Sequence, residues 1–203
     1  MAKKNKINWV KTLGLIGDIF ILIGLVAIVL TFREAAQKEV GYTVRKTFNI
    51  PYKEKDLNPG NKDFWIVIPK IGASSRIIAD VSPSNEEEYL SALRRGVAHA
   101  KGSTYPGDFG NTYIFAHSTD TFYNVGQYNA VFFLLGKLEK GDNIEIYYKE
   151  KKYDYIVNEV KVVDAADVKY LGKLGEWNTL TLQTCYPPGT TLKRLVVVAD
   201  QKI

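Results

Sequence analysis

The sequence predicts a mainly β protein: one closed or nearly closed β-barrel of seven to eight short strands with one or two short helices, carried on an N-terminal transmembrane helix. Three observations predict it. The run LGLIGDIFILIGLVAIVLTF at 13–32 holds a single charge, Asp18, and about 20 apolar residues are enough to span a bilayer core. From Phe64 onward, short apolar or alternating runs recur between turn residues, the pattern of short strands. Many short strands must hide their edges, and closure into a barrel does so.

The apolar run is too long for the core of a cleaved signal peptide, and Ala35-Ala36 is a weak cleavage site. Lys3, Lys4, Lys6 and Lys11 precede it, whereas Arg33 and Glu34 follow with little net charge. Positive charge marks the cytoplasmic side. The expected topology is therefore a single pass in the cell membrane, N-terminus in the cytoplasm and everything beyond 33 outside. Asp18 lies near enough to the interface to find water or Lys11. The expected division is a basic cytoplasmic segment at 1–12, the span at 13–32, a polar linker or stalk at 33–60 and the barrel domain at 61–203. The stalk carries Pro51, Asn58-Pro59 and Gly60, with room for a short helix at its start.

Each barrel element has a local signature. The run Phe64–Ile68, FWIVI, is a compact apolar strand closed by Pro69. A second strand is expected at 76–80. The stretch 84–93 reads as a helix, capped by Ser84 with Glu87 completing a capping box and Gly96 ending it. A strand at 113–117 follows the turn residues Pro106-Gly107 and Gly110-Asn111. A short apolar helix or turn at 131–135 ends at Gly136. Alternation at 143–147 and 153–157, extending to Val163, predicts a hairpin about the charged turn 149–152. A loop at 164–177 leads to the strand 179–185, and 194–199 forms the last strand.

Composition narrows the function classes. The formal net charge is +5 with pI about 9.1, but the lysines gather at the N-terminus and no basic stripe interleaves with aromatics, so nucleic acid is not an expected partner. One cysteine excludes a disulfide framework and any multi-cysteine zinc module. A lone cysteine facing the exterior is either an inert buried residue or a nucleophile. Cys185 closes the run TLTLQTC and is followed by the strand-breaking YPPG. It therefore sits at a strand end, where sites are built. A thiol of ordinary pKa is only a few per cent thiolate at neutral pH and needs a base or cation beside it. The chain has two histidines. His117 ends an apolar run and is followed by Ser-Thr-Asp, which favours it as the base. His99 lies among small residues and reads better as packed or hydrogen-bonded in a loop. Arg194 opens a run of apolar residues, so it enters a buried strand facing the thiol. A permanent cation there favours a thiolate and can hold an oxyanion, with the backbone N–H of Tyr186 as a second donor.

Together these residues resemble the sortases, membrane-anchored cysteine transpeptidases of mainly Gram-positive bacterial surfaces. TLQTC at 181–185 is similar to the family's TLxTC motif, and an arginine follows at the expected distance. GVAH at 96–99, PGDFGN at 106–111 and IPKI at 68–71 match the family's order, and the resemblance covers roughly residues 64–200. It implies the sortase β-barrel, Cys185 as nucleophile, His117 as general acid/base and Arg194 as substrate and oxyanion ligand. It also implies substrate contacts at Thr184, Tyr186 and Ala116. The reaction implied is attack of Cys185 on the Thr–Gly bond of an LPxTG-like sorting signal on a secreted protein. An amine of the cell envelope, such as a peptidoglycan precursor or a pilin lysine, then resolves the thioester. The chemistry requires no cofactor and no metal. Ala116 stands where many sortases have glycine, and Pro187-Pro188 stiffens the loop after Tyr186. The stalk shows no Asp-Pro-aromatic lid and the chain ends at Ile203 with no second apolar span, so a protein-anchoring enzyme is expected ahead of a pilus polymerase. A zinc site of Cys185, His99 and His117 lacks any short-range ligand pair, and an inert surface barrel is the remaining alternative. The acidic groups Glu86, Glu87, Glu88, Asp164 and Asp167, where calcium could bind as in some sortases, read better as a helix N-terminus and a solvated loop.

Overall fold

The computed structural model describes residues 9–118, 131–172 and 178–202. Lys3, Lys4, Lys6, nearly all of the 118–130 loop and the end of the 164–177 loop lie outside the described residues. The chain divides into two compact units, Met1–Lys38 and Glu39–Ile203. The described residues of the first belong to helix α1 (Trp9–Thr47), which contains Lys11–Leu30, a stretch of mean hydropathy 2.8 with none of it buried. It is long and apolar enough to cross a membrane.

The second unit is a closed eight-stranded barrel. Its strands are β1 (Phe64–Ile68), β2 (Ala73–Val81), β3 (Val97–Ala100), β4 (Asn111–Phe115), β5 (Asn143–Tyr148), β6 (Lys151–Asp164), β7 (Thr179–Tyr186) and β8 (Lys193–Gln201). Around the barrel they run β1-β2-β3-β4-β7-β8-β6-β5, and β5 pairs back onto β1. Two pairs are parallel, β2 with β3 and β4 with β7. The first is joined through helix α3 (Glu86–Leu93), as a parallel connection requires.

Several elements differ in detail from the sequence expectation. Helix α3 starts at Glu86 and its cap is Asn85, not Ser84; the Asn85 side chain accepts from the Glu88 N–H at 3.2 Å. Glu88, not Glu87, reaches back, and its Oε1 accepts from the Ser82 N–H at 2.9 Å. Gly96 does not cap the helix. A Cβ there would stand 2.2 Å from the Arg76 carbonyl oxygen, so the glycine permits the close approach of β2. His99 lies within β3, a strand the sequence did not reveal, not in a loop. Its residues Val-Ala-His-Ala are all buried but small or polar, with no alternation to read. The β5–β6 hairpin turns through Lys149 and Glu150, both with positive φ (50° and 64°). That is the backbone of a type I′ turn, reached without the usual Asn-Gly.

Part of the segment expected as a stalk, from Glu39 onward, packs on the barrel. Helix α1 continues to Thr47, and Tyr42 joins the main core at 6 % exposure. The Arg45 guanidinium lies 4.6 Å from the Tyr52 ring centre and donates to the Pro51 carbonyl at 3.0 Å. Tyr52 in turn covers Gly72, whose φ of 63° and whose lack of a Cβ both suit the contact. A short helix α2 (Glu54–Leu57) follows, and the Trp65 ring packs over Gly60.

The core has two layers. One cluster fills the barrel with residues such as Ile66, Ile77, Ile114, Ile146, Tyr155, Leu180, Leu182 and Val197. The other lies on the outer face and gathers Ala100, Tyr113, Val163, Tyr170, Val196 and Val198. Alternate residues of a strand face opposite sides of a sheet. On β7, Leu180 and Leu182 therefore face inward, and Thr181, Gln183 and Cys185 face outward. Register carries this across the neighbours: Thr181 stands beside Tyr113 and Val198, Gln183 beside Phe115 and Val196, and Cys185 beside Arg194.

Candidate active site

The outward residues of β4, β7 and β8 form the floor of a cavity of about 510 Å³. Cys185, His117 and Arg194 all line it, and Ala116, Ser118 and Thr184 share its wall. Cys185 is a free, half-buried thiol. Its pairing with Arg194 across the β7–β8 ladder is the juxtaposition the sequence suggested. His117 lies two residues beyond β4. Two bonds hold this extension against β7: the Ala116 N–H donates to the Gln183 carbonyl at 3.1 Å, and the buried Thr184 hydroxyl donates to the Ala116 carbonyl at 2.9 Å. Thr184 thus spends its hydroxyl inside the protein, positioning the His117 segment. Burial disfavours the imidazolium and pulls His117 below the ordinary histidine range.

Arg194 is fixed from one side. Its Nη1 donates to the Thr191 and Lys193 carbonyls at 3.0 and 3.1 Å. Among the described residues the rest of the guanidinium has no protein partner and opens toward the cavity, leaving part of a donor fork for an acceptor there. Tyr186 is placed differently. It is 37 % exposed and lines a second, smaller cavity of about 220 Å³, which also reaches Cys185, Thr184 and Ser118.

His99 belongs to the barrel wall. It is fully buried and its ring stacks on Tyr105 with centroids 4.6 Å apart. Its Nε2 lies 2.9 Å from the Ser103 hydroxyl and 3.1 Å from the Thr104 carbonyl. Burial lowers its pKa, against the raising influence of the Thr104 carbonyl and Asp80. Its Nδ1 accepts from the Asp80 N–H at 3.4 Å, and the ring does not line the cavity of Cys185. Among the described residues no group of three His, Cys, Asp or Glu side chains is arranged to hold a metal ion. Of the acidic residues, Glu86, Glu87 and Glu88 form the first turn of α3, and Asp167 pairs with Lys169 at 3.0 Å.

The far wall of the cavity comes from the β6–β7 connection. Tyr170, in a 3₁₀ turn at Lys169–Leu171, sits in the outer cluster, and its carbonyl accepts from Asn111 Nδ2 at 2.7 Å. Asn111 Oδ1 accepts in turn from the Thr179 and Thr181 hydroxyls at 3.1 and 2.9 Å. The first threonine of TLQTC is thus structural: it anchors the turn that presents Val168 and Leu171 to the cavity. Tyr89 and Leu93 of α3 face them from the other side. Sequence reasoning missed Tyr89, Tyr113, Val168, Leu171 and Gln183 as cavity residues. Strand parity offered a signal for two of them: Gln183 is two residues from Cys185, and Tyr113 four from His117.

A family model described as the Sortase domain matches residues 66–202. The chain belongs to the sortase family. Among curated proteins this sortase is similar to Sortase D of Bacillus subtilis (strain 168), with 29 % identity over 133 residues, 64 % of this chain and 59 % of that one. It therefore spans well under two thirds of that relative's length. Among solved structures it is similar to a pilus-related Sortase C of Group B Streptococcus: TM-score 0.58, 26 % identity, 87 % of this chain and 93 % of that one covered. It is likewise similar to a Clostridium perfringens Sortase D5 transpeptidase, with TM-score 0.57, 26 % identity and coverage of 78 % and 93 %. The eight-stranded closed barrel matches the sortase fold expected from the sequence.

Proposed function

We propose that this sortase is a cysteine transpeptidase that cleaves an LPxTG-like sorting signal and transfers the secreted protein that bears it to an amine of the cell envelope, such as a peptidoglycan precursor. The observation that carries the reading is the convergence of Cys185, His117 and Arg194 on one outward-facing cavity. The acyl side of the peptide occupies the larger cavity, between Val168 and Leu171 on one wall and Tyr89 and Leu93 on the other. His117, kept neutral by burial, takes the thiol proton as sulfur attacks the threonine carbonyl. The open part of the Arg194 fork and the Tyr186 N–H hold the oxyanion. The imidazolium then gives its proton to the departing glycine nitrogen, leaving a thioester on Cys185. An incoming amine attacks that thioester, its proton passes to His117, and the thiol is restored. No cofactor or metal takes part. The protein sits in the cell membrane through its N-terminal span, N-terminus in the cytoplasm and barrel outside.

A second reading, polymerisation of pilin subunits through a lysine amine, is favoured by the likeness to the pilus-related Sortase C. Against it, among the described residues none of 33–60 lines the larger cavity, and only Glu39 of that stretch lines the smaller one beside Cys185. The test is incubation of the full chain in detergent with sorting-signal peptides and either an oligoglycine or a lysine-bearing pilin peptide, read by mass spectrometry. The proposal expects a covalent adduct on Cys185 and product with the oligoglycine. Cleavage that persists in Cys185→Ala would sink the nucleophile assignment; product with the lysine peptide alone would favour the second reading.

A further inference from the structure

The variable position of the TLxTC-like motif is occupied here by glutamine, and its surroundings give it a defined orientation. Gln183 faces outward on β7, two residues from Cys185, and lines the same cavity. Its side-chain oxygen accepts a short hydrogen bond from the Tyr113 hydroxyl. Tyr113 is itself buried at 3 % exposure and stands on the neighbouring strand beside Thr181. Burial holds the phenol far above its ordinary pKa, with Arg194 acting in the opposite sense, so it stays a donor throughout the working pH range. A carboxamide whose oxygen is taken up in this way turns its NH₂ the other way. Among the described residues that NH₂ has no hydrogen-bond partner. The cavity around it mixes apolar residues, Phe115, Val168, Leu171 and Leu93, with polar ones such as His117, Ser118, Asp167 and Arg194.

From this we infer that Gln183 is a specificity residue, whose side-chain N–H donates to an acceptor oxygen of the bound sorting peptide close to the scissile bond. Strand geometry sets the position. Two residues along β7 are about 6.5–7 Å, and an extended peptide has the same rise. The oxygen therefore belongs to one of the two residues preceding the scissile threonine. A half-buried donor that a bound peptide covers can discriminate, because a peptide without the acceptor leaves that donor desolvated and unpaired. Tyr113 acts as the positioning residue that locks the amide in this orientation. The inference rests on the transpeptidase reading above.

The experiment uses the full chain in detergent micelles and fluorogenic sorting peptides carrying either asparagine or leucine at each of the two positions before the threonine. Gln183→Glu keeps an oxygen for Tyr113 and removes the N–H donors; Gln183→Met removes both; Tyr113→Phe releases the amide. KM is expected to rise about 10-fold in the two Gln183 variants and less in Tyr113→Phe, with kcat changed by less than about 3-fold, the fold-change that corresponds to one lost hydrogen bond. If the oxygen is on a side chain, the rise is confined to asparagine peptides and the preference for them collapses. If it is a main-chain carbonyl, KM rises equally for every peptide. Thermal unfolding of each variant is measured alongside, and Gln183→Glu carries the test if Gln183→Met does not fold. Unchanged KM and unchanged peptide ranking in the Gln183 variants, with a wild-type adduct present, would overturn this role alone. Absence of any adduct in the wild type overturns the transpeptidase reading, and this role with it.

Discussion

Tyr42 offers a test of how far the folded unit extends toward the N-terminus. It lies in helix α1, well before the first strand, yet it is 6 % exposed and part of the main core. The Lys137 ammonium sits 5.7 Å from its ring centre, and Lys137 also pairs with Glu39 one turn earlier. Replacing Tyr42 by alanine removes a buried aromatic side chain. Such a ring buries about 150–250 Å², which at ~25 cal/mol/Å² is about 4–6 kcal/mol. An unfolded chain already hides part of that area, so the figure is an upper bound. Large-to-small aromatic substitutions cost about 3–5 kcal/mol in practice, and a site at the margin of the core belongs at the lower end, about 3 kcal/mol. For a domain of this size 1 kcal/mol shifts Tm by about 2–4 °C, so Tyr42→Ala lowers Tm by about 6–12 °C. The assay is near-ultraviolet circular dichroism of the full chain in micelles during heating, which follows tertiary packing of the aromatics and not the apolar helix. Tyr42→Phe keeps the ring and is expected to fall by less than about 2 °C. A fall of under 2 °C in Tyr42→Ala would refute the assignment of the helix end to the folded barrel. The same logic expects a soluble fragment beginning at residue 39 to melt well above one beginning at 61.

Three further outcomes follow from the site. Arg194→Lys replaces a planar fork with a point charge, and one lost oxyanion donor costs about 10²–10³ in kcat; wild-type turnover in acylation assays would remove Arg194 from the mechanism. Because burial lowers the pKa of His117 and the imidazole must be neutral to accept the thiol proton, the acid limb of the kcat/KM profile is expected below pH 6.5; a limb at or above that value contradicts the role. His99 is also held neutral by burial, so the unfolded chain binds its proton more readily than the folded one. Its contribution to stability is complete above the unfolded value of about 6.5 and is lost as pH falls through the depressed folded value. Tm should drop between pH 7 and pH 5, and His99→Gln should flatten that slope while lowering Tm at pH 7; parallel curves would show that His99 is not responsible.

Much of the site was readable because its residues end strong strands. Cys185 and Arg194 close and open runs whose apolar pattern leaves little choice of register, and the ladder pairs them. The strand β3 was unreadable because a fully buried strand of Val, Ala, His and Ala carries neither alternation nor β-branched bulk. The cap of α3 was misplaced by one residue because Ser84 and Asn85 are both good caps, and only the backbone geometry before Glu86 selects the second. The packing of 39–60 was hidden for another reason. Its partners Gly72 and Lys137 are far away in sequence, so nothing local distinguishes a chain that wraps the barrel from one that hangs free. Gln183 and Tyr113 became visible only once parity was combined with the pairing of β4 and β7.

That parity divides β7 into two alphabets. Its even-numbered positions 180 and 182 satisfy the barrel interior, where volume is constrained, whereas 181, 183 and 185 are written on the outer face. The groove can therefore be rewritten for another peptide without repacking the interior, and in a family built this way substrate choice can drift while the fold stands still. The same arrangement makes the strand intolerant of a one-residue insertion or deletion. A slip of one position would turn Cys185 into the barrel and bring leucines out to the groove, losing reaction and fold in a single step.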